Sequence, residues 1–488
     1  MAEICTIKLL DEVNAKIDGL NPAVRRKCVN ALSYILPYAR HTPSFKLGRW
    51  NGKQSFFSVG GATYTNLLDR VLPIIEEAGY QIELEDHRLS FDLNFDQIDE
   101  NVISHITWPA THSRMADKPI ILEPHQVKII NTFLANPQSI QMAATGAGKS
   151  VITAILSQQI EKYGRTIVIV PSKSLVEQTL ETYLLLGLDA GVYYGDQKDW
   201  NKKHTICTWQ SLEMLLKKTK ANEVEEDKDI ISFVDDIVAV IVDEAHQARA
   251  AILTKLLSGI FRNVPIRLGL TGTIPKEELD KVSLVSCIGE IFHGVSSSEL
   301  QEVDFLSKCE IEILQTQEIN KFNNFPDEYK FLTTNTKRIN ALATLFQGIA
   351  EEGNTLILVN RIETGEMLHK LLPDSVFLDG SIKTKARKAE YDLVATQDNK
   401  IIIATFGIAA VGLDIPRLFN VITFESGKAF VRVMQSLGRG LRKALDKDFV
   451  KIYDICSATK YSKKHLTERK RFYREANFPF HITKLTLD

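Results

Sequence analysis

Three scarcities in this chain of 488 residues narrow its class before any motif is considered. Only six cysteines are present, at 5, 28, 207, 287, 309 and 456, and none are spaced Cys-x-x-Cys. That argues against a zinc site or a disulfide framework and fits a reducing cytoplasm. No uninterrupted apolar run approaches the roughly 18 residues needed to cross a bilayer. The opening MAEICTIKLLDEVNAKIDGL mixes acids with bases, so neither secretion nor membrane spanning is expected. Excess charge of one sign is also missing: the formal net charge is -2, so any surface for a polyanion must be a local groove. Internal repeats and low-complexity tracts are absent as well.

What remains is ordinary globular composition, 44% hydrophobic and 25% charged. The length exceeds one compact core and suggests about three domains. From Arg165 to Asp454, short Val/Ile-rich runs alternate with amphipathic stretches: Thr166–Val170, Asp236–Val242, Asn354–Val359, Lys400–Thr405 and Asn420–Phe424. Such runs predict buried strands of parallel sheets, and two sheets are needed to use them all. A break is expected near residue 302, after VSSSELQE. Residues 1–116 lack this alternation. Their stretch FKLGRWNGKQSFFSVGGATY predicts strands joined by tight glycine turns in a small α+β domain. The domains expected are therefore 1–116, 117–302 and 303–488. The acidic run Glu223–Asp229 reads as a solvated loop.

The chemistry is carried by three segments in order: AATGAGKS at Ala143–Ser150, DEAH at Asp243–His246 and QSLGRGLR at Gln435–Arg442. The first has a strand pattern before it and a helix pattern after it, as a phosphate-binding loop requires, although Ala143 stands where the first glycine is usual. Backbone N–H groups of Gly146, Ala147, Gly148 and Lys149 would surround a β-phosphate at a helix N-terminus, with Thr145 also assigned to the nucleotide. Lys149 would reach the β- and γ-phosphates and the Ser150 hydroxyl would ligate Mg²⁺. In the second segment Asp243 and Glu244 emerge at a strand's C-terminal edge, where open α/β sheets bind ligands. Asp243 is assigned to the Mg²⁺ shell, and Glu244 to orienting and deprotonating water. His246 reads either as a relay to Thr271 and Thr273 or as a capping residue.

Gln126 lies shortly before the loop strand, and its amide, donor and acceptor at once, suits an adenine edge. ATP is therefore preferred to GTP. Arg439 and Arg442 are three residues apart and share a helix face, where guanidinium groups can meet charge developing on a γ-phosphoryl. Gln435 sits one turn earlier and would position water or sense the γ-phosphate.

With these residues in hand, the chain resembles the superfamily-2 helicases from about residue 120 to 460. Further matching segments are Ile167–Gln178, Ile206–Leu212, Leu270–Ile274, Leu356–Leu368 and Ala404–Pro416. The resemblance implies two RecA-like parallel-sheet lobes with ATP between them. It implies that Pro171, Ser172, Lys173, Thr208, Gln210, Asn360 and Arg361 touch one strand's sugar-phosphate backbone. Thr405, Gly412 and Asp414 would couple that strand to the ATP site. FKLGRWNGK at Phe45–Lys53 and EEAGY at Glu76–Tyr80 are similar to the accessory domain of UvsW-type phage helicases, although the UvsW-type loop is closer to TSAGRS. That likeness implies remodelling of branched DNA, including forks, four-way junctions and RNA–DNA hybrids in R-loops, by a monomer in a host cytoplasm. Arg49, Trp50 and Lys53, with Phe56 and Phe57, have the composition of a stacking platform; Trp50 and Phe57 fit a small core equally well. The basic tail Lys463–Arg474 reads either as added DNA affinity or as an amphipathic helix packed by Leu466, Phe472 and Tyr473. Rival readings are an RNA helicase, an ATP-gated clamp without strand separation, and a restriction-type motor subunit, against which no PD-(D/E)xK arrangement is seen.

Overall fold

The computed structural model describes residues 3–110, 115–144, 146–221, 223–224, 229–245, 250–275, 277–296, 299–300, 308–382, 389–391, 397–409, 417–427, 449–475 and 478–487. The chain divides into two compact units. The first holds Met1–Ile103, Ile121–Ala143 and Gly148–Gly294, and the second holds Ser104–Ile120, Ala144–Ala147 and Val295–Asp488.

The main sheet of the first unit runs Gln197–Lys198, Ala190–Tyr194, His204–Thr208, Arg165–Val170, Ile237–Val242, Ile266–Thr271, Gln138–Ala143, Glu290–Val295. The pairings from Ala190–Tyr194 across to Gln138–Ala143 are parallel. Ile237–Val242 is buried at every position, which is why its sequence is a continuous apolar run and not an alternating one. The second unit repeats the design with Ser375–Leu378, Ile401–Thr405, Thr355–Val359, Asn420–Phe424, Phe449–Ser457, Lys308–Thr316, Phe480–Leu485, again joined in parallel. These are the two RecA-like lobes. All five expected strand runs are strands within a residue of the expected bounds. Residues 301–307, around the expected break, and 225–228, in the acidic run, lie outside the described residues.

The N-terminal region is a small α+β layer whose sheet runs Ala62–Tyr64, Asn14–Asp18, Ile4–Leu9, Gln81–Asp86. Gly61 has φ +88°, and a Cβ there would meet the Ile17 carbonyl at 2.1 Å, so the turn needs glycine. One expectation fails here. The stretch from Phe45 does not begin as a strand, because Pro43–Lys46 is a helical turn. Thr42 caps it through the Phe45 N–H, and Pro43 at its first position already has helical φ. The strand Lys53–Ser55 follows only after Gly52. Phe56 and Phe57 belong to the local core, 4% and 0% exposed, which removes both from any stacking platform.

This layer packs within the first unit against the helix Glu278–Cys287, whose Val282 joins its core. Polar contacts add to it: Asn14 Nδ2 donates to the Ser258 carbonyl at 3.0 Å, Glu12 N–H to the Arg262 carbonyl at 3.0 Å, and Gln138 Nε2 to Glu12 Oε2 at 2.7 Å. Beneath lies Arg267, fully buried without a carboxylate partner among the described residues. It donates to the carbonyls of Leu257, Phe261, Val264 and Cys287 at 2.9, 2.6, 3.3 and 2.6 Å. Burial pulls its pKa down to about 10, leaving it charged at neutral pH.

In the second unit the tail helix Lys460–Glu475 packs on the core through Leu466 and Tyr473, with Phe472 against them. Arg469 pairs with the buried Asp454 at 2.8 Å. The packing reading of that helix holds. All six cysteines are free and buried. No helix of the described residues is long and apolar enough to cross a membrane.

Candidate active site

The strands Gln138–Ala143 and Ile237–Val242 flank Ile266–Thr271, so the loop after the first and the acids after the second converge at one sheet edge. Gly146 and Gly148 take φ +90° and +79°, left-handed values that let the loop turn back into the helix Lys149–Ile160. A Cβ on Gly148 would come within 2.2 Å of Gln126 Nε2, so the loop closes directly on that amide. Gln126 is buried, and its Oε1 accepts from the Glu123 N–H at 3.0 Å as half of a capping box. The adenine-reading residue expected from the sequence is thus also the one that opens its own helix.

Lys149 and Glu244, each 6% exposed, form a buried ion pair between Nζ and Oε1. Glu244 has φ +49°, an uncommon conformation for a residue with a side chain. It is fixed by neighbours: its N–H donates to Asp243 Oδ1 at 2.9 Å, and Gly272 N–H donates to its Oε2 at 3.4 Å. On either side, Asp243 N–H reaches the Ile169 carbonyl at 2.9 Å and Ala245 N–H the Leu270 carbonyl at 3.0 Å. Asp243 is buried, and Ser150 begins the loop's helix beside Lys149. Behind that helix Tyr183, fully buried, shares its hydroxyl with Ser157 at 2.7 Å and donates to the Thr153 carbonyl at 3.0 Å. Burial pushes its pKa up, and Asp243 adds to the shift, so it stays a neutral prop. Thr271 Oγ1 donates to the Thr273 carbonyl at 2.7 Å.

Several expected residues lie outside the described set: Thr145, His246, Gly412, Asp414, Gln435, Arg439 and Arg442. The expected backbone-contacting residues of the first lobe gather at the same sheet edge. Ser172 caps the helix Lys173–Leu185, after Pro171. Lys173 is exposed, its ammonium 3.4 Å from where a Gly195 Cβ would stand. Thr208 caps the helix Trp209–Lys220 and leaves Gln210 exposed on its first turn. Ser172 and Thr208 are therefore the N-caps of two helices that start at this edge.

In the second lobe Asn360 Nδ2 donates to the Glu425 carbonyl at 3.2 Å, Arg361 pairs with Glu363 at 3.3 Å, and Thr405 ends its strand half-buried. Glu425 was missed in the sequence. It directly follows the strand Asn420–Phe424 at φ +45°, whereas Glu244, at φ +49°, stands two residues past Ile237–Val242; an acid at a strand's C-terminal end was the available signal. Arg338 binds both Glu318 and Glu425, at 2.8 and 2.9 Å. Ser462 Oγ donates to the other Glu425 oxygen at 2.9 Å. Burial raises Glu425 to about 7 despite Arg338, whereas Glu318 is lowered, with Arg338 the largest of the causes opposing its burial. One guanidinium between two buried carboxylates keeps one of them ionised more readily than the other.

Comparison with known proteins agrees with this geometry. Residues 119–276 match the family model for the res subunit of type III restriction enzymes, and residues 337–444 match the helicase conserved C-terminal domain. The ATP-dependent DNA helicase uvsW of Enterobacteria phage T4 is 22% identical over 458 residues, covering 89% of this chain and 87% of its own length. The fold is shared with the type ISP restriction-modification enzyme LlaBIII bound to DNA, at TM-score 0.56 and 16% identity over 87% of this chain and 36% of that one. It is shared too with the DEAD-box helicase Mss116 bound to single-stranded RNA, at TM-score 0.54 and 15% identity over 75% of each chain. With loop, buried acids and paired parallel sheets in the order these families require, the chain belongs to the superfamily-2 helicases, as an ATP-dependent enzyme resembling the UvsW type.

Proposed function

We propose that this chain is an ATP-driven motor that remodels branched DNA independently of sequence, including fork regression, four-way-junction branch migration and R-loop unwinding. The carrying observation is the buried Lys149–Glu244 pair. A buried lysine and a buried carboxylate that meet at the start of the loop's helix place a phosphate-binding charge beside a water-activating one. An incoming γ-phosphate competes for Lys149 and releases the Glu244 carboxylate toward water. The sequence pattern assigns Thr145, Gly146, Ala147 and Gly148 to the phosphates and Gln126 to adenine. Ser150 and Asp243, a hydroxyl and a buried carboxylate flanking that pair in sequence, suit Mg²⁺, which when bound neutralises phosphate charge. The sequence pattern also assigns Gly412, Asp414, Gln435, Arg439 and Arg442 to the same ATP chemistry.

Pro171, Ser172, Lys173, Thr208 and Gln210 in one lobe, with Asn360, Arg361 and Thr405 in the other, hold a strand by its phosphates. Lobe closure on ATP then alternates the two grips; a tenfold change in that equilibrium needs only about 1.4 kcal/mol. The working division is an accessory domain at 1–116 and lobes at 117–302 and 303–488, in a monomer acting in a host cytoplasm. DNA is favoured over RNA because the relative covering most of this chain is named a DNA helicase.

The test is ATP hydrolysis with single-stranded DNA, duplex, fork, four-way junction and RNA, with Lys149→Ala as the blank. Strongest stimulation by branched DNA is expected. Stimulation by RNA alone moves the assignment to an RNA helicase, and hydrolysis indifferent to nucleic acid overturns both.

A further inference from the structure

The net charge of -2 conceals a strong local asymmetry. Between Asp18 and Asp69 there is not one aspartate or glutamate, while seven lysines and arginines fall in the same interval. Four of these, Arg40, Lys46, Arg49 and Lys53, are exposed and, among the described residues, have no ion-pair partner. They lie on a short run of turns, Ala39–His41 and Pro43–Lys46, that leads into the strand Lys53–Ser55.

That run is held by its own backbone, leaving its side chains available. Arg49 N–H donates to the Ser44 carbonyl at 2.9 Å, Gly48 N–H to that of Phe45 at 3.0 Å, and Leu36 N–H to that of Gly52 at 2.9 Å. Gly52, at φ +72°, packs so tightly that a Cβ would touch Ala39 and the Phe45 ring at 2.8 Å. Trp50 Nε1 donates to the Lys53 carbonyl at 3.3 Å, which fixes the indole while leaving it half-buried. The result is an open hollow lined by Phe45, Gly48, Arg49, Trp50 and Asn51. Two aromatic side chains on a segment with no acid of its own and four exposed cations match one class of occupant, a planar heterocycle on a polyanionic chain.

We propose that this hollow takes an unpaired base of a single-stranded nucleic acid, stacked on Trp50 and Phe45, with flanking phosphates on Arg40, Lys46, Arg49 and Lys53. The inference rests on the motor reading above and gives the accessory region a specific role, recognition of the unpaired strand at a branch point. A blunt duplex offers phosphates but no free base, so it engages only the cations.

The test measures binding of a short thymidine oligomer and of a blunt duplex to the full-length chain without nucleotide, across a salt series, with thermal melting as the folding control. Trp50→Ala should weaken thymidine-oligomer binding roughly tenfold, the scale of one stacked base, while Trp50→Phe restores it and duplex binding changes less than twofold. Arg49→Gln with Lys53→Gln should lower the salt slope for the single strand by about 1.4, near 0.7 per phosphate contact. Wild-type affinity in Trp50→Ala, or equal weakening of oligomer and duplex, overturns this inference alone. If the wild-type chain binds no nucleic acid and its ATP hydrolysis is unaffected by any, the motor reading itself has failed.

Discussion

The lysine proposed to bind phosphate and the glutamate proposed to activate water are, in this structure, each other's partner. Removing one leaves the other charged and buried, which typically costs about 3–5 kcal/mol. Lys149→Ala should therefore lower the melting temperature as well as abolish hydrolysis, and adding Glu244→Gln should recover most of the lost stability. Glu244→Gln alone should reduce turnover at least ~10²-fold, the range for loss of a general base. It should also bind ATP more tightly than wild type, because Lys149 no longer has a competing carboxylate; equilibrium binding of a fluorescent ATP analogue decides this. At this scale the sequence was most legible. The residue types of a phosphate loop are dictated by backbone approach and charge, and Lys149, Asp243 and Glu244 stand together as their spacing implied. The Lys149–Glu244 contact itself was not legible, since each motif assigns its residues a role toward phosphate or water and says nothing of a bond between the two motifs.

Among the elements, strands were legible for a physical reason. A strand covered on both faces is an unbroken apolar run, and Ile237–Val242 or Asn420–Phe424 admit few other readings. The Pro43–Lys46 turn reads as strand from its sequence because its aromatic and glycine content outweighs a proline and its threonine cap. Buried polar devices left no such trace. Arg267 follows an isoleucine in a strand and is satisfied wholly by carbonyls brought from a separate loop and helix. Arg267→Met should cost several kcal/mol by stranding those carbonyls, measured as a lower denaturant midpoint.

Glu425 offers a pH signature. Below its ordinary value of 4.5 it is protonated folded or unfolded, and between 4.5 and about 7 only the folded chain keeps the proton. Its contribution therefore falls as pH rises across that window, by roughly 3 kcal/mol in total. Glu425→Gln should be near neutral at acidic pH and more stable than wild type above pH 7.5, with the melting temperature followed against pH as the check.

For the whole molecule, the two sheets were foreseen from alternation alone. The attachment of the N-terminal layer left no trace in the sequence. Nothing in Asp11–Asn14 signals that it bonds to Ser258 and Arg262, which are more than 240 residues away. Asn14→Ala with Glu12→Ala should loosen that layer from the first lobe, seen as faster amide exchange in residues 4–18 while exchange in Ile237–Val242 stays unchanged.

The same attachment has a mechanical meaning. The loop Ser258–Val264 receives bonds from the N-terminal strands on one side and from the Arg267 guanidinium on the other. Tension applied to the small layer thus passes along a few short polar links into the central strands that end at Thr271 and Val242. Whatever that layer grips, it pulls on as a rigid lever of the first lobe, not as a tethered hand.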